Sequence, residues 1–244
     1  MTDIKSDAER PPPWGYLATL GWVLLAWALV TVGYALVAVA WTGSSDLDQL
    51  EGLEEQPLSF LLAAVSGAVL VGVVVLAARL RHWSAREYLG LIRPSRRDVA
   101  IAVAFLLVIG AADYTVVELL DAGQPQSQID RYWSAKSAGA LPLFWIDWVV
   151  IAPVSEELVF RGFLQRGWVR SQSGAVLGIV VISAVWTAAH VQYSWLHLSS
   201  IFLSGLLFGW VRWRSGSTLL TILMHAILNA WAATETMVKI DGIT

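Results

Sequence analysis

Three short groups of residues carry the side chains that could do chemistry. The first is Glu156-Glu157-x-x-x-Arg161, set within Pro153-Val154-Ser155-Glu156-Glu157-Leu158-Val159-Phe160-Arg161. The second is Trp186-x-x-x-His190, and the third is His225-x-x-x-Asn229. Residues four apart on a helix share a face, whereas neighbours diverge by about 100°. Glu157 can therefore pair with Arg161, while Glu156 points elsewhere with no cation near it in sequence. A carboxylate and an imidazole can polarise a water for attack on a carbonyl, and a second imidazole with an amide can hydrogen-bond the oxyanion that forms. Glu156 with His190 suits the first task and His225 with Asn229 the second, while a Glu157–Arg161 pair keeps both ions tolerable in a dry bundle. Alternatively, His190, His225 and a glutamate could bind Zn²⁺ with one position open to water, although the spacing is not H-E-x-x-H. No cofactor is firmly expected and the metal stays an open choice. Ser155 is only a weak nucleophile candidate, and the absence of Cys excludes a thiolate. The plainer alternative is a structural charge network that ties helices together.

The elements that must position these groups are membrane helices. Of the 244 residues, 57% are hydrophobic and only 14% charged, against about 25% charged in a soluble domain. That composition argues against a soluble enzyme, a soluble binding module or a disordered chain. The formal net charge of −3 gives no reason to expect a nucleic-acid partner, and the 14 Trp suit membrane–water interfaces. Apolar stretches at 15–41, 58–80, 98–120, 141–164, 174–193, 196–213 and 217–235 are long enough to cross about 30 Å of hydrocarbon. The expected fold is an all-α polytopic membrane bundle of about seven transmembrane helices. The count becomes six or eight if stretches around 141–164 and 190–200 merge or split. Residues 1–14 read as a cytoplasmic lead-in, 15–236 as one membrane-embedded domain with its motif core at about 150–230, and 237–244 as a short tail.

Charge sets the expected orientation. With seven alternating spans, Lys5, Arg10, Arg79, Arg81, Arg86, Arg93, Arg96, Arg97, Arg166, Arg170, Arg212 and Arg214 fall on one side. The other side receives Arg131, Lys136 and Lys239, together with the acidic loop 42–57. Short Lys/Arg-rich loops stay cytoplasmic, so the N-terminus is expected inside and the C-terminus outside. Other ionisable groups also fall within the stretches. Glu118, Glu235 and His197 read as interfacial, and Asp113 and Asp147 as polar struts or site residues. A relay of those aspartates and the glutamates would suit a transporter, but no repeated half is evident. The stretch 79–97 reads as an interfacial amphipathic segment or a plain basic loop. The stretch 121–140 is a polar cap without legible chemistry.

At the three groups the chain resembles the CPBP family of intramembrane proteases, which includes CAAX prenyl proteases and bacterial relatives linked to bacteriocin processing or immunity. The family pattern E-E-x-x-x-R is matched by Glu156, Glu157 and Arg161, and H-x-x-x-N by His225 and Asn229. The second pattern is usually F-x-x-x-H; here Trp186 takes the aromatic place before His190, a change expected to alter cavity shape more than chemistry. The surroundings are also similar, from Phe202-Leu203-Ser204-Gly205-Leu206-Leu207-Phe208-Gly209-Trp210 through Ser215-Gly216-Ser217, with Tyr88-Leu89-Gly90-Leu91 as a weaker likeness. The resemblance implies a helical bundle with a funnel-like polar cavity, water activation by Glu156 and His190, an oxyanion held by His225 and Asn229, and Glu157 and Arg161 holding the site in shape. It leaves zinc open.

The resulting expectation is an integral membrane endopeptidase of a bacterial plasma membrane. It would cut peptide bonds of CAAX-like or membrane-associated peptides near the cytoplasmic half of the bilayer. Its expected partners are a peptide or protein substrate and the lipid bilayer. The alternative is a non-catalytic membrane immunity or regulatory protein that binds a peptide in the same cavity.

Overall fold

The computed structural model describes residues 11–43 and 58–242. Most of the acidic loop 42–57, the first ten residues of the lead-in and the last two of the tail lie outside them. Among the described residues every regular element is helical. The order is α1 (Tyr16–Thr42), α2 (Leu58–Leu80), α3 (Ala85–Tyr88), α4 (Arg96–Leu119), α5 (Gln126–Ser137), α6 (Leu141–Ile146), α7 (Ala152–Glu157), α8 (Gln165–Trp168), α9 (Ala175–Ala188), α10 (Trp195–Ser215) and α11 (Thr218–Asp241). Two π-helical stretches, Asp147–Ile151 and Leu158–Leu164, join α6, α7 and α8 into one run.

Three of the described helices, α1, α2 and α4, are long and apolar enough to cross a membrane. They present Leu17, Leu36, Leu61, Leu107 and Val108 outward, as a lipid-facing surface requires. The stretch expected at 174–193 is instead a 14-residue helix that stops at Ala188. The stop has a local cause. His190 Nδ1 takes the carbonyl of Trp186 at 2.8 Å, and the His190 backbone N–H bonds Thr187 instead. A continuing α-helix would have used that Trp186 carbonyl for the backbone N–H of residue 190. At the other end of the chain α11 continues to Asp241, so most of the expected tail is helical.

Glycine lets the helices around the site approach closely. A Cβ on Gly205 would lie 3.0 Å from Ser183 Cβ, and one on Gly209 would lie 2.7 Å from Ile179 Cγ2. This G-x-x-x-G ridge seats α9 against α10, the arrangement small residues permit where lipid supplies no hydrophobic drive. The same ridge leaves carbonyls open to the 141–168 run: Gln165 Nε2 donates to Gly209 O at 2.8 Å, and Arg161 Nη2 reaches Gly205 O at 3.4 Å.

The two ends of the bundle differ in charge. At one end Arg81 Nη2 donates to Pro12 O at 2.7 Å, Arg166 lies over the Trp83 ring at 5.0 Å, and Arg214 approaches Asp98 at 3.4 Å. The 79–97 stretch folds against this end and does not form one continuous amphipathic helix. Tyr88 and Leu89 are fully buried, Ser217 Oγ donates to Ile92 O at 2.6 Å, and Gly90 (φ 68°) passes so close to Arg212 that no side chain would fit. At the opposite end α5 docks on α11. Lys136 and Tyr132 both reach Asp241, at 2.5 and 2.8 Å, and Gln128 Nε2 donates to Ala232 O at 2.8 Å.

Candidate active site

The site is built from the 141–168 run outward. Pro153 lacks an N–H and its ring collides with the carbonyl four residues back in an α-helix. The chain accommodates this with the wider turn Asp147–Ile151, and a second wide turn follows at Leu158–Leu164. Between them α7 carries both glutamates. As the helical geometry requires, they face different surroundings.

Glu157 is fully buried and pairs with Arg161 at 2.8 Å. His225 Nδ1 also meets Glu157 Oε1, at 3.1 Å. The Arg161 guanidinium lies over the rings of Trp186 (4.3 Å) and Phe208 (5.3 Å), so an apolar site still offers the cation π-faces as well as a carboxylate. The expected Glu157–Arg161 ion pair is thus formed, and His225 is attached to it.

Glu156 faces a cavity of about 780 Å³. Trp186 Nε1 donates to its Oε2 at 2.6 Å, and His190 Nε2 lies 4.0 Å from the same oxygen. A carbonyl can only accept, so the 2.8 Å contact of His190 Nδ1 with Trp186 O puts the proton on Nδ1. In the neutral ring Nε2 is therefore a lone pair. Two acceptors then face each other across a gap suited to a small molecule with two donor hydrogens. Asn229 also lines the cavity, with Nδ2 donating to Trp148 O at 2.8 Å, which leaves the second amide hydrogen free of that bond.

Glu156, His190, His225 and Asn229 all line this one cavity. The aspartates lie on it too, but are tied to neighbours: Asp147 to Arg131 at 2.5 Å, and Asp113 to the Ser200 hydroxyl. His197 accepts or donates locally with Ser194 at 2.8 Å, and Glu118 and Glu235 share Lys239. The Ser155 hydroxyl donates back along its own helix to Ile151 O at 2.8 Å and meets neither histidine. The residues do not form the alternative zinc site. Among the described residues no three His, Asp or Glu side chains are grouped to hold a metal ion, and His225 turns Nδ1 to the Glu157–Arg161 pair.

The partners that sequence alone did not supply are the Trp186 indole N–H, the Trp148 carbonyl and the Arg131–Asp147 bridge. Trp186 in the place of phenylalanine is expected to alter cavity shape more than chemistry, but the difference is also chemical, because phenylalanine has no N–H to offer Glu156.

Comparison with protein families matches the part of the chain that carries these residues. Residues 138–231 match the family described as type II CAAX prenyl endopeptidase Rce1-like. Over that part, which is less than half of the chain, the sequence is similar to CPBP-family protease domains. The Rce1-like segment begins just after α5 and ends within α11, so it contains both glutamates, Arg161, both histidines and Asn229. Helices α1 to α5 lie outside it. No curated protein and no solved structure matches the chain.

Proposed function

We propose that the chain is an intramembrane peptide hydrolase in which Glu156 and His190 activate the attacking water. The observation that carries this reading is the 4.0 Å separation of Glu156 Oε2 and His190 Nε2 on a shared cavity, both presenting acceptors. A water between them would donate one hydrogen to each, and its oxygen would attack the peptide carbonyl as Glu156 takes a proton. Asn229 and His225 are the donors proposed for the resulting oxyanion. For His225 this requires Nε2–H as well as Nδ1–H, that is, an imidazolium, which the adjoining Glu157 carboxylate would stabilise. Collapse breaks the C–N bond, and Glu156 returns its proton to the leaving amine. Burial of Glu157 with Arg161 supports this geometry because each buried charge holds the other in place.

We place the site in a seven-span membrane protein of the plasma membrane, with α1, α2 and α4 joined by the 141–168 run, α9, α10 and α11, and with the N-terminus inside. Its substrates would be membrane-associated peptides. The test is cleavage of a quenched fluorescent peptide library by purified protein in detergent. The parent should turn over a subset of peptides, and Glu156→Gln should lose roughly 10²- to 10⁴-fold of that rate while remaining folded. Undiminished cleavage by Glu156→Gln would remove Glu156 from the mechanism. Peptide binding without cleavage by the parent would favour the immunity or regulatory alternative.

A further inference from the structure

The cavity occupies one half of the bundle only. Its lining comes largely from the parts of the helices remote from the arginine-rich loops: Tyr34 late in α1, Ser59 at the start of α2, Asp113 late in α4, Gln192 between α9 and α10, and Asn229 at the middle of α11 with Ala232 and Glu235 beyond it. Toward the arginine-rich end the bundle is closed by Phe160, Phe163, Leu164, Phe208, Val211 and Leu220, none more than 3% exposed. A peptide therefore has no way in from that end.

Charge identifies the ends. Arg79, Arg81, Arg86, Arg93, Arg96, Arg97, Arg166, Arg170, Arg212 and Arg214 all lie at the closed end. Those at the cavity end are few and each meets a carboxylate: Arg131 with Asp147 (2.5 Å), Lys136 with Asp241 (2.5 Å) and Lys239 with Glu118 (2.9 Å). Lys and Arg in short loops mark the cytoplasmic side of a multispanning chain. We infer that the cavity opens to the extracytoplasmic face, and that its substrate is a peptide segment presented from that side, at the outer leaflet, and not a cytoplasmic C-terminus. The identification of a substrate rests on the hydrolase reading above; the face of the opening does not. It also reverses the expectation of cleavage near the cytoplasmic half of the bilayer.

The chain contains no cysteine, so a single introduced thiol reports its own location. Gln192→Cys, at the exposed mouth, and Arg93→Cys, exposed at the opposite end, are treated in intact cells with a membrane-impermeant maleimide. Gln192→Cys should label at once, and Arg93→Cys only after the membrane is permeabilised. The reverse pattern would overturn the inference. In proteoliposomes carrying a lipid-anchored fluorogenic peptide on their outer surface, the cleavage rate should follow the fraction of molecules whose residue 192 faces outward. A rate that follows outward-facing residue 93 would overturn the substrate assignment. A parent protein inactive even in detergent would count against the hydrolase reading, while the labelling would still decide the face.

Discussion

The indole N–H of Trp186 donates to Glu156 Oε2 at 2.6 Å, joining α9 to α7 at the point where the cavity meets the packed core. The same ring lies over the Arg161 guanidinium and stands edge-on to both His190 and His225, at centroid distances of 5.3 and 5.4 Å. Trp186→Phe keeps an aromatic ring between these groups but removes the donor. Turnover is expected to fall about tenfold, about 1.4 kcal/mol of transition-state stabilisation, with little change in thermal unfolding because water can reach the one-quarter-exposed Glu156. Parental turnover in Trp186→Phe, measured on the peptide the parent cleaves best, would make the indole N–H a bystander.

Arg161 and Glu157 are both fully buried, so neither charge can be left alone cheaply. Arg161→Met should destabilise the protein by about 3–5 kcal/mol, because Glu157 then stays buried with His225 and the Thr221 hydroxyl but without a full cation. Adding Glu157→Gln should recover much of that loss. Thermal unfolding of the two variants in detergent checks both statements. Equal midpoints for the parent and Arg161→Met would contradict the pairing.

Asn229 is proposed to present one amide hydrogen to the oxyanion while the other holds the Trp148 carbonyl. Asn229→Ala should lower kcat by roughly 10²-fold and leave KM nearly unchanged, since the oxyanion exists only in the transition state. A rise in KM at constant kcat would instead assign Asn229 to ground-state binding.

The cluster of Lys136, Tyr132 and Asp241 makes stability depend on pH at both extremes. Hydrogen bonds from Lys136 and then Tyr132 hold the Asp241 carboxyl below its ordinary 3.8. That contribution is complete above the ordinary value and is lost as pH falls through the lower folded one. Burial, and then the hydrogen bond to Asp241, push the Tyr132 hydroxyl from 10.0 up to about 12, so its contribution is complete below 10.0 and disappears as pH rises through about 12. The unfolding midpoint of Asp241→Asn should therefore lie below the parent's at neutral pH and converge with it in acid. The midpoint of Tyr132→Phe should lose less than the parent's between pH 10 and 12. Parallel curves for parent and variants across these ranges would rule out the linkage.

What could be read from the sequence followed from local geometry. Glu157 and Arg161 are four apart on one helical run, so their contact depends on nothing distant. The divergence of Glu156 from Glu157 has the same origin. Contacts across helices were not legible in this way. Trp186 and Glu156 are 30 residues apart, and their hydrogen bond depends on the rotation of α9 set by the glycine ridge of α10. The end of α9 was also hidden. Val185 through Val191 reads as part of one uninterrupted apolar stretch, and the helix stops where the His190 imidazole bonds the Trp186 carbonyl. His225 was expected to serve the cavity alone, but its Nδ1 contact with Glu157 Oε1 makes it part of the charge pair as well.

The shortness of α9 has a mechanical consequence for the surrounding lipid. Fourteen residues rise only about 21 Å, roughly 9 Å less than a typical hydrocarbon layer. Its outer side, with Val176, Leu177 and Val180, is bare of protein cover. For α9 to cross, the leaflets beside it must dimple inward. Such a dimple would carry headgroups and their hydration down to the turn that bears His190, bringing bulk water closer to the mouth of the cavity.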